Sequence, residues 1–362
     1  MNILYLLFSF TTGGTERLVT DICNEMVRRE HRVHLYVVND LYDQCMLDAL
    51  DPKVSVQLQK RPAGGSDKLQ TLFKIAAYIR KNQIQVVHCN SLDAPELLLL
   101  KPFLMPKIKV LYTVHGMQHL KNKSSWKIRY RNLLCHKIIG ISDCVSQDIL
   151  SAGIDPKKIV TIPNAINFSK FPNRTEKVFD PSRPVIGHVA RIQPQVKGQD
   201  ILIRAIDLLK KDHPQIQCIF AGAPAQNCPQ DLESLKNLVS DLGLEENITF
   251  VGGITDVPGF LSCIDIFALP SRSEGFGISL VEAMAMGIPC IASNLDGPAE
   301  VLEHGKLGLL FPTEDAQALA DKITEMIAHY PSYHSQATQQ AAHVRQQYNI
   351  TVMCDSLEAL CG

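Results

Sequence analysis

Several signatures are missing from this chain of 362 residues, and each absence narrows what it can be. None of the eleven cysteines forms a CxxC pair, so the usual zinc and thioredoxin spacings are absent. Cys23, Cys45, Cys89, Cys135, Cys218 and Cys290 are scattered, mostly in apolar runs, as expected of small buried thiols in a reducing cytoplasm. GxGxxG occurs nowhere, which disfavours a dinucleotide-dependent dehydrogenase. No run of about 18 apolar residues exists, so no membrane-spanning helix is expected. Net charge is -1, so nothing global draws the chain to nucleic acid or an anionic surface. The apolar start, Met1 to Phe8, lacks the basic flank and the cleavage site of a secretory leader and reads as a buried first strand.

What is present is an α/β pattern. Hydrophobic residues make up 46% and charged residues 20%, the composition of a globular protein long enough for two cores. Short Val/Ile/Leu-rich runs alternate with amphipathic stretches, the signature of βαβ units around parallel sheets. Strands are expected near 2–8, 32–38, 54–58, 84–88, 108–114, 137–141 and 158–162, with helices such as 15–29 and 67–81. Segment 163–183, rich in Pro, Asn and charge, reads as an interdomain connection. The pattern then restarts, with strands near 184–190, 216–221, 247–251, 265–269, 289–292 and 307–311. Helices are expected at 198–211, 230–242, 277–286 and 314–328, and a polar helical stretch at 332–361. Two doubly wound domains facing across a cleft follow, with ligands at the carboxyl ends of the strands.

The strongest local signal is Pro270-Ser271-Arg272-Ser273-Glu274-Gly275-Phe276-Gly277-Ile278, running on to Glu282-Ala283. A strand ends, a glycine-bearing loop follows and a helix opens, so unpaired amides and the helix dipole can hold a phosphate. Glu274 stands in the loop and Glu282 one to two turns into the helix, where the two acids would reach different parts of an extended ligand. Alone, the pair would equally suit a stabilised helix start and a solvated surface acid.

Glu-x7-Glu in this setting, followed by Met284-Ala285-x-Gly287-x-Pro289, closely resembles the retaining GT-B glycosyltransferases of family 4, the glycosyl transferases group 1. The likeness covers essentially the whole chain. It implies two Rossmann-like domains, an acceptor-side domain at 1–165 and a nucleotide-sugar donor domain at 166–342, with a last helix at about 343–362 packing back on the first. Four further segments stand in the order implied. Gly13-Gly14 before the first helix would lie against the donor phosphates and acceptor, although a simple tight turn explains them as well. His115, in Thr113-Val114-His115-Gly116 at a strand end, would touch the donor sugar. Arg191, in Gly187-His188-Val189-Ala190-Arg191, and Lys197 before Gly198 would hold the diphosphate, whose charge grows as the glycosidic bond breaks. The Arg-to-Lys spacing is one residue longer than in many relatives, and Ala190 stands where Gly is common. Asp296-Gly297-Pro298-Ala299-Glu300 resembles a loop closing on the nucleotide sugar, and is also an ordinary helix start. Pro163-Asn164-Ala165-Ile166-Asn167 departs from the commoner Gly and Asp at its third and fifth places.

The resemblance implies retention by front-face transfer, since no second carboxylate stands beside Glu274 to act as a nucleophile. Glu274 is assigned to sugar hydroxyls, Glu282 to the ribose diol, and Gly275, Phe276, Gly277 and Ile278 to the phosphates. Gly253 and Ile254, in the turn after Phe250-Val251-Gly252, are assigned to the base. No metal and no cofactor are expected, because side-chain cations and helix ends would replace an ion. The donor is expected to be a UDP-sugar, and the acceptor a saccharide or lipid-linked saccharide of bacterial cell-surface polysaccharide. A nucleotide-sugar epimerase and a non-catalytic sugar-nucleotide binding protein are the alternatives.

Between Leu97 and Ser142 there is no Asp or Glu but nine Lys and Arg, among them Lys121, Lys123, Lys127, Arg129, Arg131 and Lys137. Trp126, Ile128, Tyr130, Leu133 and Leu134 are interleaved with them. The stretch 121–137 suits a peripheral contact with the anionic inner face of a cytoplasmic membrane. A helix with a merely solvated charged face, or an anionic acceptor site, fits the same residues.

Overall fold

The computed structural model describes residues 1–62, 67–117, 120, 123–171, 177–224 and 228–362. The chain divides into two compact units, the first made of 1–166 and 349–362, the second of 167–348.

In the first unit seven strands form one sheet in the order β3-β2-β1-β4-β5-β6-β7. They are β1 Asn2–Leu7, β2 Arg32–Asn39, β3 Ser55–Arg61, β4 Val86–Cys89, β5 Lys109–Val114, β6 Lys137–Gly140 and β7 Ile159–Thr161. Every pairing is parallel, with Ile3 opposite both Val33 and Val86. Inner strands are largely buried and mostly apolar, with His34, His88 and Thr113 among the exceptions. In β1 only Asn2 escapes burial. The edge strand β3 instead carries Gln57, Gln59, Lys60 and Arg61, which discourage pairing with another chain.

Right-handed crossovers put helix Gly14–Arg28 on one face of this sheet and helices Lys68–Lys81 and Ser125–Leu134 on the other. Gly14–Arg28 buries Leu18, Val19, Ile22, Cys23, Met26 and Val27, the i, i+3, i+4 stripe of a surface helix. Against it packs the terminal helix Ile350–Cys361 through Ile350, Met353, Cys354 and Leu357. The Arg29 guanidinium ties the two, donating to Asp355 at 2.7 Å and Glu358 at 2.5 Å. The 332–361 stretch is therefore not one helix. Tyr330–Gln347 ends at Tyr348, and Asn349 caps a new helix through Thr351 N–H.

The second unit repeats the plan in six parallel strands ordered β10-β9-β8-β11-β12-β13. These are β8 Val185–Val189, β9 Gln217–Ala221, β10 Ile248–Gly252, β11 Ile266–Leu269, β12 Cys290–Ser293 and β13 Leu309–Phe311. Central β11 and β12 are wholly buried, whereas edge strand β10 alternates buried and exposed. Helices Gln199–Leu209 and Ala316–Ala328 pack together over one face with Ile203, Ile206, Leu319 and Ile323 buried. Among the described residues no helix is long and apolar enough to cross a membrane.

In both sheets the strand order reverses beside the first strand, between β1 and β4 and between β8 and β11. Connections leave in opposite directions there, opening a crevice at the carboxyl edge.

Candidate functional site

In the second unit the reversal lies between the loops that follow β8 and β11, and most of the expected donor residues stand on them. The loop after β8 is fixed from below by His188, a buried residue of that strand. Its Nδ1–H donates to the Ala268 carbonyl at 2.9 Å, which leaves Nε2 to accept from the Gln199 amide at 3.4 Å. Burial, and then the charge of Lys197, push the His188 pKa down to about 4, so this imidazole is neutral. The Gln199 amide also donates to the Arg191 carbonyl at 2.9 Å, while the Arg191 side chain is exposed.

Between Arg191 and Lys197 the chain makes the short helix Pro194–Lys197 and then turns through Gly198 at φ 65°. A Cβ on Gly198 would stand 1.9 Å from the Pro270 carbonyl oxygen, so only glycine lets the two loops meet. They are joined further by Arg272 N–H and Ser273 N–H, which donate to the Val196 carbonyl at 2.8 and 3.2 Å. The Arg272 guanidinium bonds both carboxylate oxygens of Asp200, at 2.7 and 2.9 Å, and the Pro194 carbonyl at 2.8 Å. Asp200 raises the Arg272 pKa, as a bidentate partner should. At the mouth of this frame Lys197 Nζ meets Glu274 Oε2 at 2.7 Å, both side chains partly buried.

Gly277, at φ 98°, opens helix Ile278–Ala285, a backbone conformation that a side chain would strain. Glu282 is largely buried on that helix. The Phe276 ring is buried and meets Tyr348 edge-on at 5.5 Å, so only its backbone is left for a ligand. The 296–300 segment is already helical as Asp296–Val301, and Gly297 presses on the backbone of Glu274 and Gly275. Gly253 and Ile254 follow β10, on the same sheet edge but two strands from β8.

The first unit has a different reversal. His115 follows β5, and its Nε2 lies 3.4 Å from Oδ1 of Asn90, the residue after β4. The Asn90 amide donates in turn to the His88 carbonyl at 3.2 Å. His88 Nε2 bonds the Thr113 hydroxyl at 2.7 Å, and burial, with His115 adding to it, lowers its pKa to about 3. Gly13 is extended at φ -170°, so that turn does not depend on glycine's freedom of φ; beside it Asp43 accepts from the amide and hydroxyl of Thr12, at 2.6 and 2.7 Å.

The basic stretch is partly turned inward. Lys123 and Lys127 reach Asp93 at 2.9 and 3.3 Å, and fully buried Arg131 bonds Glu96 at 2.8 Å. Lys137 donates to the Lys157 carbonyl, and Lys121 lies outside the described residues. Asp200, Gln199 and Asn90 carry no motif of their own. Arg272 lies in the 270–278 loop, but its partner is 72 residues away. Among the described residues no group of three or more His, Cys, Asp and Glu is placed to hold a metal ion.

Known proteins match the chain in sequence and in fold. The description Glycosyltransferase Family 4 matches residues 12–170, and Glycosyl transferases group 1 matches residues 169–343. A lipopolysaccharide core biosynthesis mannosyltransferase of Rhizobium meliloti is 27% identical over 229 residues, 62% of this chain and 63% of its own. A GDP-mannose-dependent phosphatidylinositol monomannoside mannosyltransferase of Mycobacterium tuberculosis is 31% identical over 154 residues. That match takes in 40% of this chain but only 38% of the relative, so the chain spans less than two fifths of its length. Among solved structures, Anabaena HepE, crystallised with UDP and glucose, superposes with a TM-score of 0.84 at 23% identity, covering 99% of this chain and 98% of that one. A point mutant of S. aureus TarM, crystallised with Fondaparinux, alpha-GlcNAc-glycerol and UDP, superposes with a TM-score of 0.80 at 14% identity, each chain covered to 100%. The fold is that of the GT-B glycosyltransferases. With residues 12–343 matched by the two descriptions together, the chain belongs to glycosyltransferase family 4, the glycosyl transferases group 1.

Proposed function

We propose that the protein transfers a hexose or N-acetylhexosamine, with retention, from a UDP-sugar to a saccharide or lipid-linked saccharide acceptor of bacterial cell-surface polysaccharide. The Lys197–Glu274 pair carries this reading. A cation suited to a diphosphate and an acid suited to sugar hydroxyls are held 2.7 Å apart at the strand reversal. Lys197, Arg191 and the amides of Gly275 to Ile278 hold the diphosphate, and Glu274 holds the sugar. Glu282 binds the ribose, Gly253 and Ile254 the base, and His115 orients the sugar, with Gly13 and Gly14 beside the phosphates. The acceptor oxygen bonds to the anomeric carbon as the bond to the diphosphate breaks. The electron pair stays on the departing oxygen, which receives the acceptor's proton. Cationic side chains and a helix end act on the charge that grows in that step.

No cofactor and no metal ion enter the scheme, so turnover in EDTA is expected to match turnover without it. UDP is favoured by HepE, crystallised with that nucleotide, whereas the mycobacterial relative is named for GDP-mannose. The protein would work at the inner face of the cytoplasmic membrane, touching it peripherally. A panel of UDP- and GDP-sugars tested for protection against thermal unfolding decides the donor. A ligand at about 100 times its Kd adds about 2.7 kcal/mol to native stability. If no nucleotide sugar protects, or if Lys197→Ala and Glu274→Ala are protected as well as the parent, the proposal fails.

A further inference from the structure

We infer that a cavity at the amino edge of the first unit's sheet is a binding site for a small phosphate-bearing molecule. Asn2, Arg32 and Ser55, which open β1, β2 and β3, line it together with residues at the ends of helices Gly14–Arg28 and Lys68–Lys81. Its volume is about 650 Å³, within the range of about 300–1,000 Å³ that small-molecule sites occupy. Gly13 and His115 follow strands at the opposite, carboxyl edge, so the inference stands apart from the transfer reading.

Charge identifies the ligand as an anion. Arg32, Lys53 and Lys81 line the cavity against one acid, Glu30, and His31 beside them is already paired with Glu358. The three cations are exposed and form no ion pair among the described residues. Lys81 is not spent on the end of its own helix either. The Tyr78, Ile79 and Arg80 carbonyls accept from the Asn82, Ile84 and Gln83 amides, at 3.0, 3.0 and 3.2 Å. The Asn2 side-chain amide donates to the next two carbonyls, those of Asn82 and Gln83, at 3.1 and 3.2 Å. Three cations against one carboxylate leave two positive charges unmatched, and a phosphate monoester carries about two negative ones at pH 7. Lysine meets such a group as a point charge and arginine as a fork.

A buried donor points the same way. His34 also lines the cavity, although it is only 8% exposed. It pairs in register with Ser55, and its Nδ1 meets the Tyr78 hydroxyl of helix Lys68–Lys81 at 3.0 Å. Its Nε2 has no partner among the described residues, and polar groups so deeply buried are ordinarily hydrogen-bonded. With the Tyr78 hydroxyl donating to Nδ1, the ring keeps its proton on Nε2, a donor for a phosphate oxygen. The backbone around the cavity is strained as well. Glu30 and Gln83, which line it, hold φ of 64° and 52° just past the two helix ends, where glycine is the ordinary residue. Such strain collects at ligand sites.

Titration calorimetry on the full chain tests the inference with three probes: inorganic phosphate, glucose 6-phosphate and UMP. At least one is expected to bind the parent, and to move the His34 ring signal in the NMR spectrum of protein labelled with 15N-histidine, assigned through His34→Gln. Lys53→Glu combined with Lys81→Glu should weaken that probe at least about tenfold. Both positions are exposed, and an unchanged melting temperature without probe makes the comparison one of binding. Lys197→Ala, in the other unit, should leave the affinity within about twofold. The tightest probe separates the free ion, a phosphosugar and a nucleotide, and each upholds the site. If no probe binds, if the double variant binds as the parent does, or if Lys197→Ala removes the binding instead, the inference is overturned.

Discussion

Both units reverse their strand order between the first and fourth strands, but the two reversals are filled with different chemistry. In the first unit His115, Asn90, His88 and Thr113 meet through hydrogen bonds, and burial keeps His88 neutral. In the second, Lys197 meets Glu274 and Arg272 meets Asp200, all charged groups within one frame. The shared topology supplies a place for a ligand, and the side chains decide what each place can hold. An edge of imidazole, amide and hydroxyl groups suits sugar hydroxyls. A charged one suits a diphosphate and the charge it gains on leaving.

The sharpest way to break this contrast is to remove the charge. Lys197→Ala is expected to lower kcat by about 10²–10³, near 3–4 kcal/mol, with little change in thermal stability. Steady-state rates at saturating donor check this, and a change confined to KM would make Lys197 a binding group only.

Acid should then erode both units, because His88 in the first and His188 in the second are buried and held neutral, and burial lowers His34 of the first unit as well. His88 and His188 have folded pKa values near 3 and 4, below the unfolded value, so the unfolded chain binds more protons between about pH 4 and 6.5. Their stabilisation is complete above about pH 6.5 and is lost as pH falls toward 4, roughly 2–3 kcal/mol for each of the two histidines by pH 4.5. Urea midpoints at a series of pH values measure it, and His188→Gln should flatten the profile of the second unit alone.

A smaller effect sharpens the role of the frame. Arg272→Lys keeps the charge but not the fork, and should cost about 2 kcal/mol in kcat/KM because Asp200 loses its second bond. Asp200→Ala is expected to do about the same, and the double variant to add little, which a double-mutant cycle reports. Smallest of all, Asn90→Ala removes one long contact to the His115 ring. A loss of about 1 kcal/mol is expected, visible in the donor KM.

How much of this was legible depended on distance along the chain. The inner strands were readable because burial on both faces leaves an unbroken apolar run, as in Ile3 to Leu7 or Ile266 to Leu269. Short β13 is three residues, Leu309–Phe311, where five were expected, because Leu307 and Gly308 carry no ladder. The break before Asn349 was hidden in a stretch helical on both sides of it, although an Asn cap was its local sign. The loops bearing Lys197 and Glu274 could be found because glycine, charge and a strand end coincide in sequence. The Arg272–Asp200 bond could not, since neither side chain announces a partner on another loop. The same blindness made 121–137 look like free positive charge. Its counterions, Asp93 and Glu96, stand before the acid-free stretch begins.

The return of Ile350–Cys361 to the first unit has a consequence for synthesis. The second unit is encoded without interruption, so its core can close while the ribosome is still working. The first unit draws on residues from both sides of it, so Ile350, Met353 and Leu357 can join its core only after the second unit has been made. The portion begun first is thus completed after the one that follows it.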